Sequence, residues 1–434
     1  MYRRFLRYVI PSMIGFALSG VYAIVDGFYI GNSVGDIGLA AINVAFPLTA
    51  LMQCLGCGIG LGGAINYAIC EGAGDRDERN RYLWVTIGLL LAFIVALIAL
   101  YIPFAKPILK AFGAEGELLE LCEEYIKIII IGIPFQILGT GLVPFMRNMG
   151  GSFEAMIAMI LGFLGNVGFD YLLVWKIPWG MTGAAIASVL GQAFSMAFAI
   201  WFFYTRRYQL HTNLHVDLKP IIIKILKVGV SPFGLTLIPN IAPIFINKAA
   251  FICGGDLALS TYAVISYSVC VAMLLLQGIS DGAQPLISIH YGAKEYALAK
   301  KVRNITFITS TIMAIVSMWA LYHFRYVIPL IFGGSEEVIT EVARVTNFFT
   351  AGLIFVGISR TTISYFYATE KNKLAYILIY LEPFILLLAI IGLSVQFRLD
   401  GTWYATAVTQ FIIAIISLWL LAYNKKKCSR KEMI

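Results

Sequence analysis

Gly58–Arg81 reads GIGLGGAINYAICEGAGDRDERNR, and Gly278–Lys301 reads GISDGAQPLISIHYGAKEYALAKK. Without a gap, Gly58, Ile59, Gly62, Ile69, Gly72 and Ala73 meet identical residues at a shift of 220. The same shift pairs Phe112–Gly113 with Phe332–Gly333, Glu117 with Glu337, Gly132 with Gly352 and Phe135 with Phe355. Pro11 pairs with Pro232 at 221, and GAAIASVLGQ (183–192) echoes GTWYATAVTQ (401–410) at 218. One offset held across most of each half reads as an internal duplication.

Both copies lie in apolar surroundings. The 434-residue chain is 60% hydrophobic and only 13% charged, about half the charged share of a soluble domain, with a mean hydropathy of +0.84. A polytopic membrane protein is expected. Arg3, Arg4 and Arg7 precede a first apolar run that is full-length and has no small-residue cleavage site behind it, so that run reads as a retained span. Twelve spans of about 20 residues or more fit the pattern: 8–31, 44–70, 82–104, 124–146, 154–175, 181–205, 224–251, 260–290, 303–325, 341–369, 374–396 and 402–423. Several exceed the minimum, as tilted helices do.

The longest polar break, Thr205–Lys227, ends in KPIIIKILKVG, the expected start of an amphipathic helix. The domain plan is therefore a six-helix lobe over 1–205, a cytoplasmic linker over 206–227 and a second six-helix lobe over 228–434. Six is even, so both lobes enter the membrane with the same orientation. They should be parallel repeats about an axis along the membrane normal, with a cavity between them, a recurrent transporter plan. The fold class is all-α integral membrane, with two pseudo-symmetric lobes.

The net charge of +8 sits at Arg3–Arg7, Arg76–Arg81, Arg206–Lys227, Lys294–Arg303, Lys371–Lys373 and Lys425–Lys431. These are the N-terminus, alternate loops and the C-terminus, whereas turns such as Asn32–Gly38 and Gly254–Leu257 carry no Lys or Arg. The positive-inside rule accounts for this placement and puts both termini in the cytoplasm. Contact with anionic lipid headgroups, not nucleic acid, is its expected physical role. Cys54 and Cys57 form a C-x-x-C inside a Gly-rich span, and with no second pair nearby they read as small buried hydrophobes. The four histidines, His211, His215, His290 and His323, have no ligand spacing.

No enzyme constellation is present: no Walker A, H-E-x-x-H, G-x-S-x-G or EF-hand loop. The expectation is a transporter, not an enzyme, without a cofactor and driven by an ion gradient. One charge moving through 100 mV releases about 2.3 kcal/mol. Intramembrane ionisable residues are then the first place to look. Span one, PSMIGFALSGVYAIVDGFYIG (11–31), carries Asp26, and span five, FLGNVGFDYLLVW (163–175), carries Asn166 and Asp170 on one helix face. Both spans run outward. Asp26 lies about 27 Å up the first and Asp170 about 24 Å up the fifth, at 1.5 Å per residue. Two carboxylates and an amide at one level of one lobe suit a proton or Na⁺. The second lobe lacks the equivalent: the repeat sets Asn247 opposite Asp26, and Leu386 and Ile390 opposite Asn166 and Asp170.

Other polar and soft residues give candidate cavity contacts: Met13, Tyr22, Met52, Gln53, Met273, Gln277, Asp281 and Gln284. Methionines suit a flat, poorly specified ligand. Lys248 and Arg360 are expected to snorkel or pair locally. Glu382, just before Pro383, suits a structural pair as well as it suits a substrate role. The aromatics belong mostly to lipid belts and packing.

GISDGAQPLIS with YGAKE, its degenerate first copy, the first-span Asp and the fifth-span N-x-x-x-D together resemble the multidrug and toxic compound extrusion (MATE) family of the MOP superfamily, in particular its bacterial DinF/MepA-like branch. The similarity runs over essentially the whole chain. It implies two six-helix lobes in a V and antiport of H⁺ or Na⁺ against organic, mostly cationic amphipathic compounds, by alternating access. It further implies a cation site at Asp26, Asn166 and Asp170, with the Ser188 hydroxyl beside them, in a monomer of the bacterial inner membrane. The second-lobe Na⁺ site of NorM-type relatives is not matched, because its Glu position is Asn240 and ISRTTISYFYATEKN (358–372) has no Asp. A flippase for lipid-linked oligosaccharide or an exporter of another metabolite is the alternative in the same superfamily.

Overall fold

The computed structural model describes residues 1–206 and 217–431. Most of the expected linker, 207–216 with His211 and His215, lies outside the described residues. The described residues form helices and short turns, with no strand among them. In hydrocarbon each backbone N–H and C=O must be bonded within the chain, and a helix does this inside one segment.

Six helices come first: α1 (Tyr2–Ser33), α2 (Asp36–Ala73), α3 (Arg76–Ala111), α4 (Gly116–Asn148), α5 (Ser152–Asp170) and α6 (Gly180–Thr205). The turn residues set their limits. Gly35 and Gly74 sit at φ +80°, where a Cβ is disfavoured. The Asp75 side chain accepts from the Glu78 amide and caps α3. α7 (Lys219–Gly292), α8 (Tyr296–His323), the short α9 (Val327–Ile331), α10 (Glu336–Ala351), α11 (Leu353–Ala368) and α12 (Asn372–Lys431) follow. α7 begins as the amphipathic helix expected from KPIIIKILKVG, with Ile221, Ile225 and Val228 buried and Lys224 and Lys227 exposed.

Among the described residues, ten helical stretches are long and apolar enough to cross a membrane. Two of these are long enough to cross twice. α7 has 74 residues and breaks at Gly255 (φ 62°, ψ −150°), a backbone region essentially confined to glycine. α12 has 60 residues and breaks at Arg398 (φ 51°, ψ −125°). Counted on either side of these breaks, the described residues give twelve segments long enough to cross, the number that the hydropathy pattern predicts, but the turns expected over 252–259 and 397–401 are single-residue breaks in helical chain. The tenth expected span, 341–369, is in turn interrupted at Gly352, between α10 and α11.

The chain forms two compact units. The first comprises Met1–Leu237 with Ser288–Lys294, and the second comprises Ile238–Ile287 with the chain from Glu295 onward. The first unit takes in the start of α7 because Gly58 and Gly62 of α2 lie against the Gly229 backbone. A Cβ on Gly62 would stand 2.9 Å from the Gly229 Cα. The same unit holds a two-fold contact between the sequence copies. Gly72 lies against the Ile289 carbonyl and Gly292 against the Ile69 carbonyl. The two glycines match at the 220-residue shift, and so do the two isoleucines.

The repeat is also visible inside each unit. In the first, Gly60 of α2 lies on the Gly141 backbone of α4, and Gly141 packs on Leu90 of α3, which a Cβ would meet at 2.8 Å. In the second, the residues 220 positions on are Ser280, Thr361 and Ser310. Thr361 shares hydrogen bonds with Ser280 at 3.5 Å and with Ser310 at 3.3 Å. Thr86 and Thr306, likewise matched, each donate to the carbonyl four residues earlier. Backbone contact in one copy has become hydroxyl contact in the other.

The core of the second unit is centred on the fully buried Trp403, which stacks on Tyr262 at 6.2 Å and tilts against Phe349 at 5.5 Å. Apolar side chains left exposed, such as Ile131 and Val395, clothe the helices as lipid-facing surface requires.

Candidate functional site: a buried acidic cluster in the first unit

α1 and α5 pack side by side in the first unit. At the N-terminal end of α5, Gly15 admits the Met159 side chain, whose sulfur would stand 2.8 Å from a Cβ on the glycine. At the other end, α5 widens into a π-helical turn, Tyr171–Lys176, immediately after Asp170. Such turns leave carbonyls without their usual α-helical partners and recur at functional sites. Here the Ser33 hydroxyl, at the end of α1, donates to the Val174 carbonyl at 2.9 Å. Trp175 stacks on Phe28 at 6.2 Å and meets Tyr29 edge-on at 6.1 Å. The Trp179 amide donates to the Leu173 carbonyl at 2.8 Å. This clasp sets the register between α1 and α5.

Inside the clasp, Asp26 faces both Asp170 and Asn166, and Asp170 also faces Asn166. Asn166 and Asp170 are 1% and 0% exposed. Asp26 Oδ1, both polar atoms of the Asn166 amide and both Asp170 oxygens are buried without a hydrogen-bond partner. Buried polar atoms in folded proteins are ordinarily paired, so five unpaired atoms in one cluster make it the candidate site. α6 closes the cluster. Gly162 and Gly191 let α5 and α6 approach closely, and a Cβ on Gly191 would sit 2.8 Å from the Asn166 Cβ. One turn earlier on α6, Ser188 shares a hydrogen bond with the Tyr22 hydroxyl at 3.3 Å. Tyr22 and Tyr125 of α4 both lie within electrostatic range of the two carboxylates.

The four residues expected at a cation site, Asp26, Asn166, Asp170 and Ser188, are thus brought together, and Tyr22, expected on a cavity wall, joins them. Tyr125 was missed. It lies in an ordinary EEYIKI run and carries no signal separating it from the other tyrosines. The remaining cavity candidates are spread out. In the first unit Met13 is half-buried, Gln53 is exposed and Met52 is enclosed in the apolar core. In the second, Met273 and Gln277 are half-buried and Gln284 is fully buried. Asp281 is buried and accepts the Tyr367 hydroxyl at 2.7 Å. Met52 and Gln284 therefore present no open surface. Asn247 and Lys248 are exposed, while Leu386 and Ile390 are buried in apolar packing, so the acidic cluster has no counterpart in the second unit.

The donor set is oxygen-rich and anionic, the kind that hard cations prefer. Among the described residues, no group of three His, Cys, Asp or Glu side chains has the spacing of a multivalent metal site. Two carboxylates and an amide suit a proton or a monovalent cation.

The MatE family profile matches residues 11–172 and 237–391, one segment in each half of the chain. The chain belongs to the MatE family. As a MatE protein it is a multi-pass membrane transporter and not an enzyme. It is 23% identical over 426 residues to the multidrug export protein MepA of Staphylococcus saprophyticus, covering 97% of this chain and 93% of that protein. MepA of Staphylococcus aureus matches over the same span at the same identity. Among solved structures, a MATE-family multidrug-resistance transporter of the MOP superfamily in an outward-facing conformation superposes with a TM-score of 0.91. It is 20% identical, with 99% of this chain and 96% of that one covered. A MOP-superfamily transporter from Pyrococcus furiosus superposes at 0.89 with 21% identity, covering 96% and 94% of the two chains. These likenesses establish the MATE fold for this MatE chain.

Proposed function

We propose that this MatE transporter exports amphipathic organic cations by antiport, with H⁺ or Na⁺ as the coupling ion bound at Asp26, Asn166 and Asp170. The observation that carries the reading is the cluster of orphaned buried oxygens on two facing carboxylates. At an effective dielectric of about 20, like charges about 4 Å apart repel by about 4 kcal/mol. A single bound cation removes that repulsion and satisfies the orphaned atoms. The multidrug names of the Staphylococcus relatives support the substrate class.

Each residue has a role in the proposed cycle. Asp26 and Asp170 supply charge, and the Asn166 amide oxygen supplies a neutral ligand. Tyr22, Tyr125 and Ser188 hold the rim. Ion entry from outside neutralises the pair and lets α1 and α5 approach, and the altered packing releases drug outward. Return of the carrier delivers the ion to the cytoplasm, down its gradient. Met13, Gln53, Met273 and Gln277 are the proposed drug contacts left accessible in the structure. The protein works as a monomer in a bacterial inner membrane, with both termini cytoplasmic. Arg3, Arg4 and Arg7, the Arg76–Arg81 segment and Lys294–Arg303 support that orientation.

The test is cationic-dye flux in proteoliposomes under a pH gradient and then a Na⁺ gradient. Asp170→Asn should abolish gradient-driven flux while the purified protein stays folded. Undiminished coupled flux in that variant would refute the assignment.

A further inference from the structure

The second unit contains a buried charge pair that plays no part in the acidic cluster. Arg360 of α11 and Glu382 of α12 are 8% and 9% exposed. Arg360 Nη2 stands 3.9 Å from Glu382 Oε2. Gln410, beyond the Arg398 break in α12, donates to Glu382 Oε1 at 2.8 Å. The repeat matches Arg360 with Thr140 and Glu382 with Gly162, neither ionisable, while Gln410 matches Gln192. Each unit therefore has buried carboxylate where its mate has none. The first has Asp26 and Asp170 where the second has Asn247 and Ile390. The second has Glu382 where the first has glycine.

The two acidic sites differ in how their charge is balanced. A buried carboxylate in a low-dielectric setting is tolerated when it is hydrogen-bonded, as Asp281 is by the Tyr367 hydroxyl, when it is protonated, or when a positive charge balances it. No Lys or Arg among the described residues forms an ion pair with Asp26 or Asp170, so neither has a fixed counter-charge among those residues. Glu382 has a guanidinium beside it. Arginine does not release its proton in proteins, so this balance is permanent. The contact is longer than the 2.7–2.9 Å or so of a charge-assisted hydrogen bond. It neutralises charge without the tight bidentate grip that would make it a structural rivet.

We propose that Arg360 is a tethered counter-cation that keeps the second unit out of ion coupling, so that the first unit alone sets the number of ions exchanged per cycle. Glu382, with the Gln410 side chain against it, is then a latent second site for a small monovalent cation, filled by the chain itself. Arg360 acts as a positioning and specificity residue and does not touch the transported drug. The inference rests on the reading of Asp26, Asn166 and Asp170 as the coupling site.

The experiment measures coupling stoichiometry. Purified full-length protein is reconstituted, the membrane potential is clamped, and tetraphenylphosphonium is the transported probe. The slope of log accumulation against log ion gradient, for Na⁺ and for H⁺, gives the ions exchanged per probe. Arg360→Gln should raise the slope by one for the coupling ion, because Glu382 then recruits a mobile cation. Arg360→Gln with Glu382→Gln should return it to the wild-type value. The double variant removes both charges and so avoids stranding a lone buried carboxylate, which makes it informative even if the single variant does not fold. A slope lowered by one in the double variant would show that Glu382 already carries an ion, and would overturn the proposal. An unchanged slope in a transporting Arg360→Gln variant would overturn it too. Wild-type protein that accumulates probe under neither gradient would remove the coupling reading itself, a failure distinguishable from the other two.

Discussion

Gly72 and Gly292 occupy matched positions in the two sequence copies, and each lies against a carbonyl of the other's helix, Ile289 for Gly72 and Ile69 for Gly292. The contact is two-fold symmetric, so the two sites should respond alike to change. A methyl group at either one meets backbone, which cannot swing away as a side chain can. Gly72→Ala and Gly292→Ala should each destabilise the protein by about 1–3 kcal/mol, the usual cost of overpacking. The unfolding midpoint in detergent would measure it, and the double variant should be less than additive because both changes push on one crossing.

Removing one carboxylate should stabilise the cation-free protein. Asp26 and Asp170 face each other without a counter-charge among the described residues, so Asp26→Asn should relieve repulsion while disabling transport. In Na⁺-free alkaline detergent its unfolding midpoint should exceed that of the wild type by about 2–4 °C. Adding the coupling ion should raise the wild-type midpoint by mass action and leave that of the variant unmoved. A thermal shift series in Na⁺ checks this.

Tyr125 should affect ion affinity more than stability. Tyr125→Phe removes a buried hydroxyl within electrostatic range of the two carboxylates. Loss of about 1 kcal/mol of polar interaction corresponds to roughly a five-fold weaker half-saturation for the coupling ion. Ser188→Ala, which removes the hydrogen bond to Tyr22, should behave similarly, and the two together should be non-additive, since both act on the same cluster. Ion titrations of dye efflux measure all three variants.

The clasp at the end of α1 should be a distant determinant of the same affinity. Ser33→Ala strands the Val174 carbonyl in the π-turn, and Trp175→Ala removes the stack on Phe28. Neither side chain belongs to the acidic cluster. Each variant should weaken ion half-saturation by about three- to ten-fold, equivalent to roughly 1 kcal/mol of lost positioning, while drug affinity in ion-free membranes stays as in the wild type. A change in drug affinity alone would separate the clasp from the cation site.

The twelve crossings were legible because hydrocarbon thickness imposes a length and composition on every span. The juxtaposition of Asp26, Asn166 and Asp170 was legible because equal rise along two helices expected to run in the same direction brings equal depth. What escaped was set by contacts between distant segments. The π-turn depends on Ser33 and Trp179 finding the Val174 and Leu173 carbonyls, and hydropathy does not register that. Tyr125 and Met52 look like many other membrane residues until their neighbours are known. Gly255 and Arg398 stand where loops were expected because a single residue outside helical geometry is enough to kink a chain that remains helical on both sides.

The matched seams, Gly60–Gly141–Leu90 in one unit and Ser280–Thr361–Ser310 in the other, give the two halves different tolerance to sequence drift. The glycine seam is limited by volume: any added side chain is rejected, whatever its chemistry. The hydroxyl seam is limited by polarity, so small residues exchange freely provided a donor and an acceptor survive. A saturation map of these six positions would therefore show a size filter on one half of the transporter and a chemical filter on the other. After duplication, the half under the chemical filter is the freer to acquire new side chains.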